Sequence, residues 1–214
     1  MAKSHVYVVG PDYGISVMFA KRGYRVVRDI AEADIVVWSG GADVNPALYG
    51  EKPLEQTSFN PRRDQDDIQA WKISTTMGAQ LRVGICRGGQ FLNVQNGGRL
   101  WQHVNKHTSD HLVLDIPSQT EYLCSSTHHQ MMRPGNGAQV LGIGIHKIAD
   151  MQLNVCNFKF ADGQSWNEDD AEDPDVEVVW YEHTRSLCFQ PHPEMRGYDQ
   201  CTKYFFNLIE RYVA

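Results

Sequence analysis

One cysteine stands where an apolar run gives way to glycines. In Leu81-Arg82-Val83-Gly84-Ile85-Cys86-Arg87-Gly88-Gly89-Gln90 the run from Val83 to Ile85 leads into Cys86, with glycine two residues before it and two and three after it. This is the layout of a nucleophile elbow, a sharp strand-to-helix turn with the reactive residue at its tip. The turn crowds the backbone on both sides, where only residues without a Cβ fit closely. A helix continuing through Gln90 to Gln95 would point its free N–H groups and dipole at the sulfur, favouring the thiolate. Taken alone, a single G-x-C-x-G also suits a buried cysteine that ends a core strand.

A second stretch supplies what a cysteine nucleophile needs, a base and a group to orient it. In Cys188-Phe189-Gln190-Pro191-His192-Pro193-Glu194, His192 and Glu194 are two apart, so an extended backbone puts both on one face. Pro191 and Pro193 keep the segment extended and deny it helix. Glu194 is then placed to accept a hydrogen bond from the imidazole and hold its tautomer.

Gly-Ile-Cys-Arg-Gly-Gly-Gln at 84–90, with Gln-Pro-His-Pro-Glu at 190–194, closely resembles the class I glutamine amidotransferase superfamily, whose usual signatures are G-x-C-x-G-x-Q and a later H-P-E. Ser39-Gly40-Gly41-Ala42-Asp43-Val44-Asn45-Pro46, Leu48-Tyr49-Gly50-Glu51 and Ser126-Thr127-His128-His129-Gln130 resemble the γ-glutamyl hydrolase branch, which includes the γ-glutamyl-γ-aminobutyrate hydrolases and is peptidase C26-like. The resemblance spans about residues 5 to 210, and the chain departs from the branch at His129 and Pro191. It implies an α/β fold: a flavodoxin-like three-layer sandwich with a central, mostly parallel sheet and an added antiparallel region, in a single domain over 1–214. It also implies Cys86, His192 and Glu194 as catalytic residues. The backbone N–H groups of Arg87 and of Gly41 or its neighbour would form the oxyanion hole, and Gly40, Gln90, His128 and Gln130 would contact substrate. No cofactor and no metal is implied. Arg62, Arg63 and Asp64 resemble a family Arg-Asp step that braces the glycine loop or meets a carboxylate.

The elements that must position these residues follow from the apolar pattern. Strands are expected at Val6–Val9, Tyr24–Val27, Ile35–Trp38 and Leu81–Ile85, and helices at Ile15–Lys21 and from Asp64 to Met77, the latter with Ile68, Trp71 and Thr75 on its inner face. This alternation predicts parallel strands with crossover helices and a site at their C-terminal ends. The second half reads as shorter, partly antiparallel strands at His111–Ile116, Glu121–Cys124, Gln139–Gly142, Val176–Tyr181 and Ser186–Phe189. The last two are joined by a hairpin loop, Glu182 to Arg185, that aims His192 back toward Cys86. An amphipathic helix closes the chain from Tyr198 to Tyr212. The acidic stretch 162–175 reads as a solvated loop, with docking of a partner as the other reading.

Composition narrows the function classes. With 42% hydrophobic and 21% charged residues the profile is that of a soluble globular protein, and the net charge of −6 offers no broad basic surface to nucleic acid. No apolar run approaches the roughly 18 residues needed to span a membrane. Five cysteines without framework spacing, and no evident signal peptide, point to a reducing, cytoplasmic setting. His103, His107 and His111 have a spacing that would suit a metal on a helix, but His111 opens an expected strand. Two enzymatic readings follow: a free-standing hydrolase of γ-glutamyl amides acting through a thioester, or a glutaminase subunit that supplies ammonia to a separate synthetase or ligase. A non-catalytic module on the same fold is the third, and the intact Cys86, His192 and Glu194 argue against it.

Overall fold

The computed structural model describes residues 4–104, 107, 109–146, 154–155 and 175–213. Short apolar runs form the parallel half of its sheet: β1 (His5–Val9), β2 (Arg25–Val26), β3 (Ile35–Trp38), β4 (Leu81–Ile85) and β12 (Ser186–Phe189). β3, β4 and β12 are buried at every residue, as strands covered on both faces must be. The order runs β2-β1-β3-β4-β12, each neighbour parallel. From β12 the sheet continues antiparallel through β11 (Val176–Tyr181), β9 (Ala138–His146), β6 (His111–Asp115) and β7 (Thr120–Cys124), with β10 (Asn154–Val155) also on β9. β5 (Arg99–Trp101) and β8 (Met131–Arg133) form a separate antiparallel pair.

Alternation along each strand sends side chains to two helical layers. Ile35 and Val37 of β3 join a core with Ile15 and Phe19 of α1 (Ile15–Lys21) and Phe205, Leu208 and Ile209 of α4 (Asp199–Val213). Val36 and Trp38 face the other way, to Ala70 of α2 (Pro61–Thr76) and to Phe91 and Leu92 of α3 (Arg87–Gln95). The result is a three-layer sandwich whose sheet is parallel at its centre and extended by antiparallel strands.

Several expectations shift. α2 starts at Pro61 rather than Asp64, because Asn60 caps it by accepting from the Arg62 and Arg63 N–H groups and Pro61 needs no donor at that position. Thr75 is exposed; the inner face of α2 carries Asp64, Asp67, Ala70 and Ser74, with Ile68 and Trp71 half-buried beside them. Tyr24–Val27 forms ladder pairs only at Arg25 and Val26, Gln139–Gly142 lengthens into β9, and β5, β8 and β10 were not anticipated. Glu182–Thr184 is a turn of 3-10 helix, and the left-handed Arg185 that follows completes the connection from β11 to β12. Of the acidic stretch, 162–174 lies outside the described residues. Asp175 is fully buried rather than solvated.

The close approach of α3 to the sheet demands glycine at two points. A Cβ on Gly88 would lie 2.1 Å from the Trp38 carbonyl oxygen, and one on Gly84 would lie 2.3 Å from the Gly88 carbonyl carbon and oxygen. Both obstacles are backbone, so neither can yield by a rotamer change. Gly88→Ala should therefore lower unfolding stability by about 1–3 kcal/mol, the usual range for overpacking. Denaturant titration would measure this, and an unchanged midpoint would show that α3 can retreat from β3 freely.

Candidate active site

Ile85 ends β4, and Cys86 turns the chain into α3 with φ 51° and ψ −113°. A left-handed φ is uncommon for a non-glycine residue and persists only when its surroundings enforce it. Here the Cys86 N–H donates to the Phe189 carbonyl at 2.8 Å, and the Gln90 N–H donates to the Cys86 carbonyl at 3.0 Å. The residue is thus tied to β12 on one side and to the first turn of α3 on the other. As the first helical residue, Arg87 has an N–H with no acceptor inside the helix, and it stands beside Cys86.

The β4–β12 register pairs Phe189 with Ile85, so the chain leaving β12 runs past the elbow. The His192 imidazole faces the Cys86 thiol closely enough for the sulfur to raise its pKa, and its Nδ1 lies 2.8 Å from Glu194 Oε1. Burial alone would favour neutral imidazole. Interaction with Cys86 and Glu194 outweighs that effect and pushes the His192 pKa up to about 11. Gln190 adds a further contact, its Nε2 3.7 Å from Cys86 Sγ. Ser125 clamps the backbone of His192: its hydroxyl accepts from the His192 N–H at 3.1 Å and donates to the His192 carbonyl at 3.0 Å.

The glycine loop closes the site from β3. A Cβ on Gly40 would stand 3.2 Å from His192 Cε1 and 3.8 Å from Cys86 Cβ, so that backbone lies against both groups. Gly41 follows at φ 141°. Arg63 braces the loop, donating to the Ser39 carbonyl at 3.0 Å and the Gly40 carbonyl at 3.2 Å while pairing with Asp67 at 2.9 Å. The Arg87 side chain, buried beneath, pairs with Asp64 at 2.6 Å and with Asp67. Loop and elbow therefore share one buried ion network. Of the two roles open to the Arg-Asp step, Arg63 fills both: it braces the loop and meets the Asp67 carboxylate.

Gln90, Gln130 and His128 lie deeper. Gln90 is 3% exposed, and its Nε2 donates to Gln190 Oε1 and the Gln130 carbonyl, both at 3.1 Å. Gln130 Nε2 donates to the Gln102 carbonyl. His128 Nδ1 is 2.9 Å from the Gln130 carbonyl, and its Nε2 is 3.4 Å from Glu177. His129 turns to Asp43 of the glycine loop at 3.0 Å. The structure brings Cys86, His192, Glu194, Gly40, Gly41 and Arg87 together, and sets Gln90, His128 and Gln130 in a buried network behind them. Sequence reasoning missed Gln190, Ser125, Asp67 and the Arg87 side chain. Gln190 had a signal, since it stands in the same motif as His192; nothing in the spacing of Ser125 or Asp67 pointed to the site.

The Peptidase C26 family profile matches residues 1–152. The chain belongs to the Peptidase C26 family. A Lactococcus lactis protein named as glutamine amidotransferase-like, YvdE, is 32% identical over 137 residues, covering 54% of this chain and 55% of its own length. A Mycobacterium tuberculosis protein named as a glutamine amidotransferase is 44% identical over 73 residues, 32% of this chain and 22% of its own. The chain spans about half the length of most of the curated relatives it matches. Similar folds include a Thermotoga maritima glutamine amidotransferase (TM-score 0.58, 12% identity, 99% of this chain and 85% of that one) and PurLQS from the same organism (TM-score 0.61, 13% identity, 98% and 100%). The C26 match contains Cys86 and the glycine loop, whereas His192 and Glu194 lie beyond its end and stand at the site by geometry. Among the described residues, no helix of this C26 chain is long and apolar enough to cross a membrane.

The raised His192 pKa has a stability consequence. The folded pKa, about 11, exceeds the unfolded value of about 6.5, so the protonated imidazole stabilises the fold fully below about pH 6.5 and the contribution is lost as pH rises through 11. The stability gap between the wild type and His192→Gln should therefore narrow steadily from pH 6 to pH 10 in denaturant titrations. A gap independent of pH would contradict the assigned charge state.

Proposed function

We propose that the chain hydrolyses γ-glutamyl amide bonds, with Cys86 as nucleophile, His192 as acid and base, and Glu194 as its orienting carboxylate. The observation that carries this reading is that His192, bonded to Glu194, stands with Cys86 against the backbone of Gly40 at the tip of a strained elbow. The Cys86 thiolate attacks the γ-carboxamide carbon, and the oxyanion that forms is held by the Arg87 N–H and the N–H of Gly41. His192, kept protonated, gives its proton to the leaving amine, then takes one from the water that cleaves the γ-glutamyl thioester. Gln190 steadies the sulfur, while Gly40, Gln90, His128 and Gln130 form the pocket for the glutamyl end.

Membership of the C26 family supports hydrolysis at a carbon–nitrogen bond, and the names of the relatives favour glutamine among the amides. Those names also keep a second reading in view, a glutaminase that passes ammonia to a synthetase or ligase. The two differ in whether the isolated chain turns over.

A diazo-ketone glutamine analogue should label Cys86, which keeps 8% exposure, and spare Cys124, Cys188 and Cys201, which keep none; burial also raises the thiol pKa of Cys188, and a Cys201 contact together with burial raises that of Cys124. With glutamine and a panel of γ-glutamyl amines, the isolated protein should release amine, and Cys86→Ala and His192→Ala should each abolish release with unchanged circular dichroism. Equal labelling of Cys188 or Cys124 would remove Cys86 from the role. Negligible turnover that rises sharply on adding a ligase would replace the hydrolase with the ammonia donor.

A further inference from the structure

Behind the candidate active site, three histidines converge on one buried carboxylate. His111 Nε2 lies 3.1 Å from Glu177 Oε1, His128 Nε2 3.4 Å and His107 Nδ1 3.7 Å. All four side chains are at most 4% exposed. They come from separate parts of the chain: the segment before β6, the start of β6, the segment before β8, and β11. The ligand atoms of His107, His111 and Glu177 all lie within 4.8 Å of one another.

The second nitrogen of each ring is also engaged outward. His107 Nε2 lies 3.1 Å from Asp175 Oδ2, His111 Nδ1 lies 3.3 Å from the Ser109 carbonyl, and His128 Nδ1 lies 2.9 Å from the Gln130 carbonyl. A neutral imidazole has one N–H, and here an oxygen stands ready to accept it on the outer side. The inner nitrogens all face a single carboxylate oxygen, and His111 Nε2 hydrogen-bonds it. A proton satisfies one such contact at a time; a divalent ion would satisfy all of them. Two buried atoms at the centre, His128 Nε2 and Glu177 Oε2, have no hydrogen-bond partner. Imidazoles that meet a metal with one nitrogen commonly donate from the other to a carboxylate or a backbone carbonyl.

We propose that Glu177, His107, His111 and His128 bind a divalent transition-metal ion of the zinc class as a structural centre. Ligand spacing favours this ion. A tetrahedral ion with bonds near 2.0–2.1 Å sets its ligand atoms about 3.3–3.4 Å apart, and the three separations from Glu177 bracket that value. Three imidazoles and one carboxylate suit zinc better than the oxygen-seeking magnesium or calcium. His107, His111 and Glu177 supply three mutually close ligands, and His128, 3.4 Å from Glu177, stands beside them as the fourth; all four are buried, so the ion's part is to hold structure. Its reach extends to the nucleophile: Glu177 accepts from the Gln190 N–H through its carbonyl at 2.8 Å, and Gln190 contacts Cys86. The helical His103–His107–His111 arrangement open to the sequence is replaced by this set, since His103 turns instead to His129.

The test is metal analysis of the intact chain. Protein expressed with added zinc and dialysed against metal-free buffer should carry about one equivalent, and the stripped protein should take it back with a rise in melting temperature. Cobalt(II) added to stripped protein should give the intense visible bands of a four-coordinate site. His107→Gln and His111→Gln should each lose the metal and the bands, whereas His183→Gln, outside the cluster, should keep both. A well-folded wild type that holds no metal and shows no melting shift with zinc or cobalt would overturn the proposal. So would metal retained in the His107 and His111 variants. The wild-type titration decides even if the variants fail to fold. Because the readouts are stoichiometry, absorption and melting, failure of the metal centre is distinguishable from failure of the proposed hydrolysis.

Discussion

A left-handed cysteine at the end of a buried parallel strand is the constraint on which the rest of this structure depends. Holding Cys86 at φ 51° costs on the order of 1–3 kcal/mol. The surroundings that hold it must be stiff, and they are backbone. The Cys86 N–H is bound to β12, its carbonyl opens α3, and Gly84 and Gly88 let α3 press onto β4 and β3 closely enough to leave the turn no other shape. Loosening any of these would let the residue relax.

The same constraint explains why His192 reaches Cys86 from more than a hundred residues away. A residue at the C-terminal end of β4 is met most directly from the neighbouring strand, and β12 is that neighbour. Parallel pairing in register sends Gln190 and His192 past the elbow without a long excursion. On the other flank β3 delivers the glycine loop. Arg63, Arg87, Asp64 and Asp67 then lock loop to elbow through α2. A buried ion network of this kind contributes little net stability, because desolvating the charges offsets their attraction. Removing one member is costly, since it strands the others, so the network enforces a single arrangement of the loop.

The parts legible in the sequence were those governed by local rules. The ranges of β3, β4, β11, β12 and α1 follow from apolar runs and their punctuation, and they match residue for residue. The elbow glycines could be read because their reason is steric and lies within six residues of Cys86. The start of α2 was misplaced because Asn60 and Pro61 act as cap and first residue, a signal that the apolar period does not carry. β5, β8 and β10 are two or three residues long, and β5 pairs with β8 across the intervening β6 and β7, so their identity depends on tertiary contacts. Asp175 shows the limit most plainly. Set among acidic neighbours it reads as solvated, yet the fold buries it beside His107, a residue far away in sequence.

That displacement of Asp175 links the two halves of the molecule. β11 alternates its side chains and uses its backbone at the same time: Glu177 turns its carboxylate to the histidines while its carbonyl receives Gln190. The residue that anchors the histidine cluster therefore also sets the height of the segment carrying His192. His128 makes a second connection, since the Gln130 carbonyl it contacts also receives Gln90 from α3. The histidine cluster and the surroundings of Cys86 are joined by two short, buried paths. The antiparallel extension thus acts as the support that keeps the parallel half's site in register.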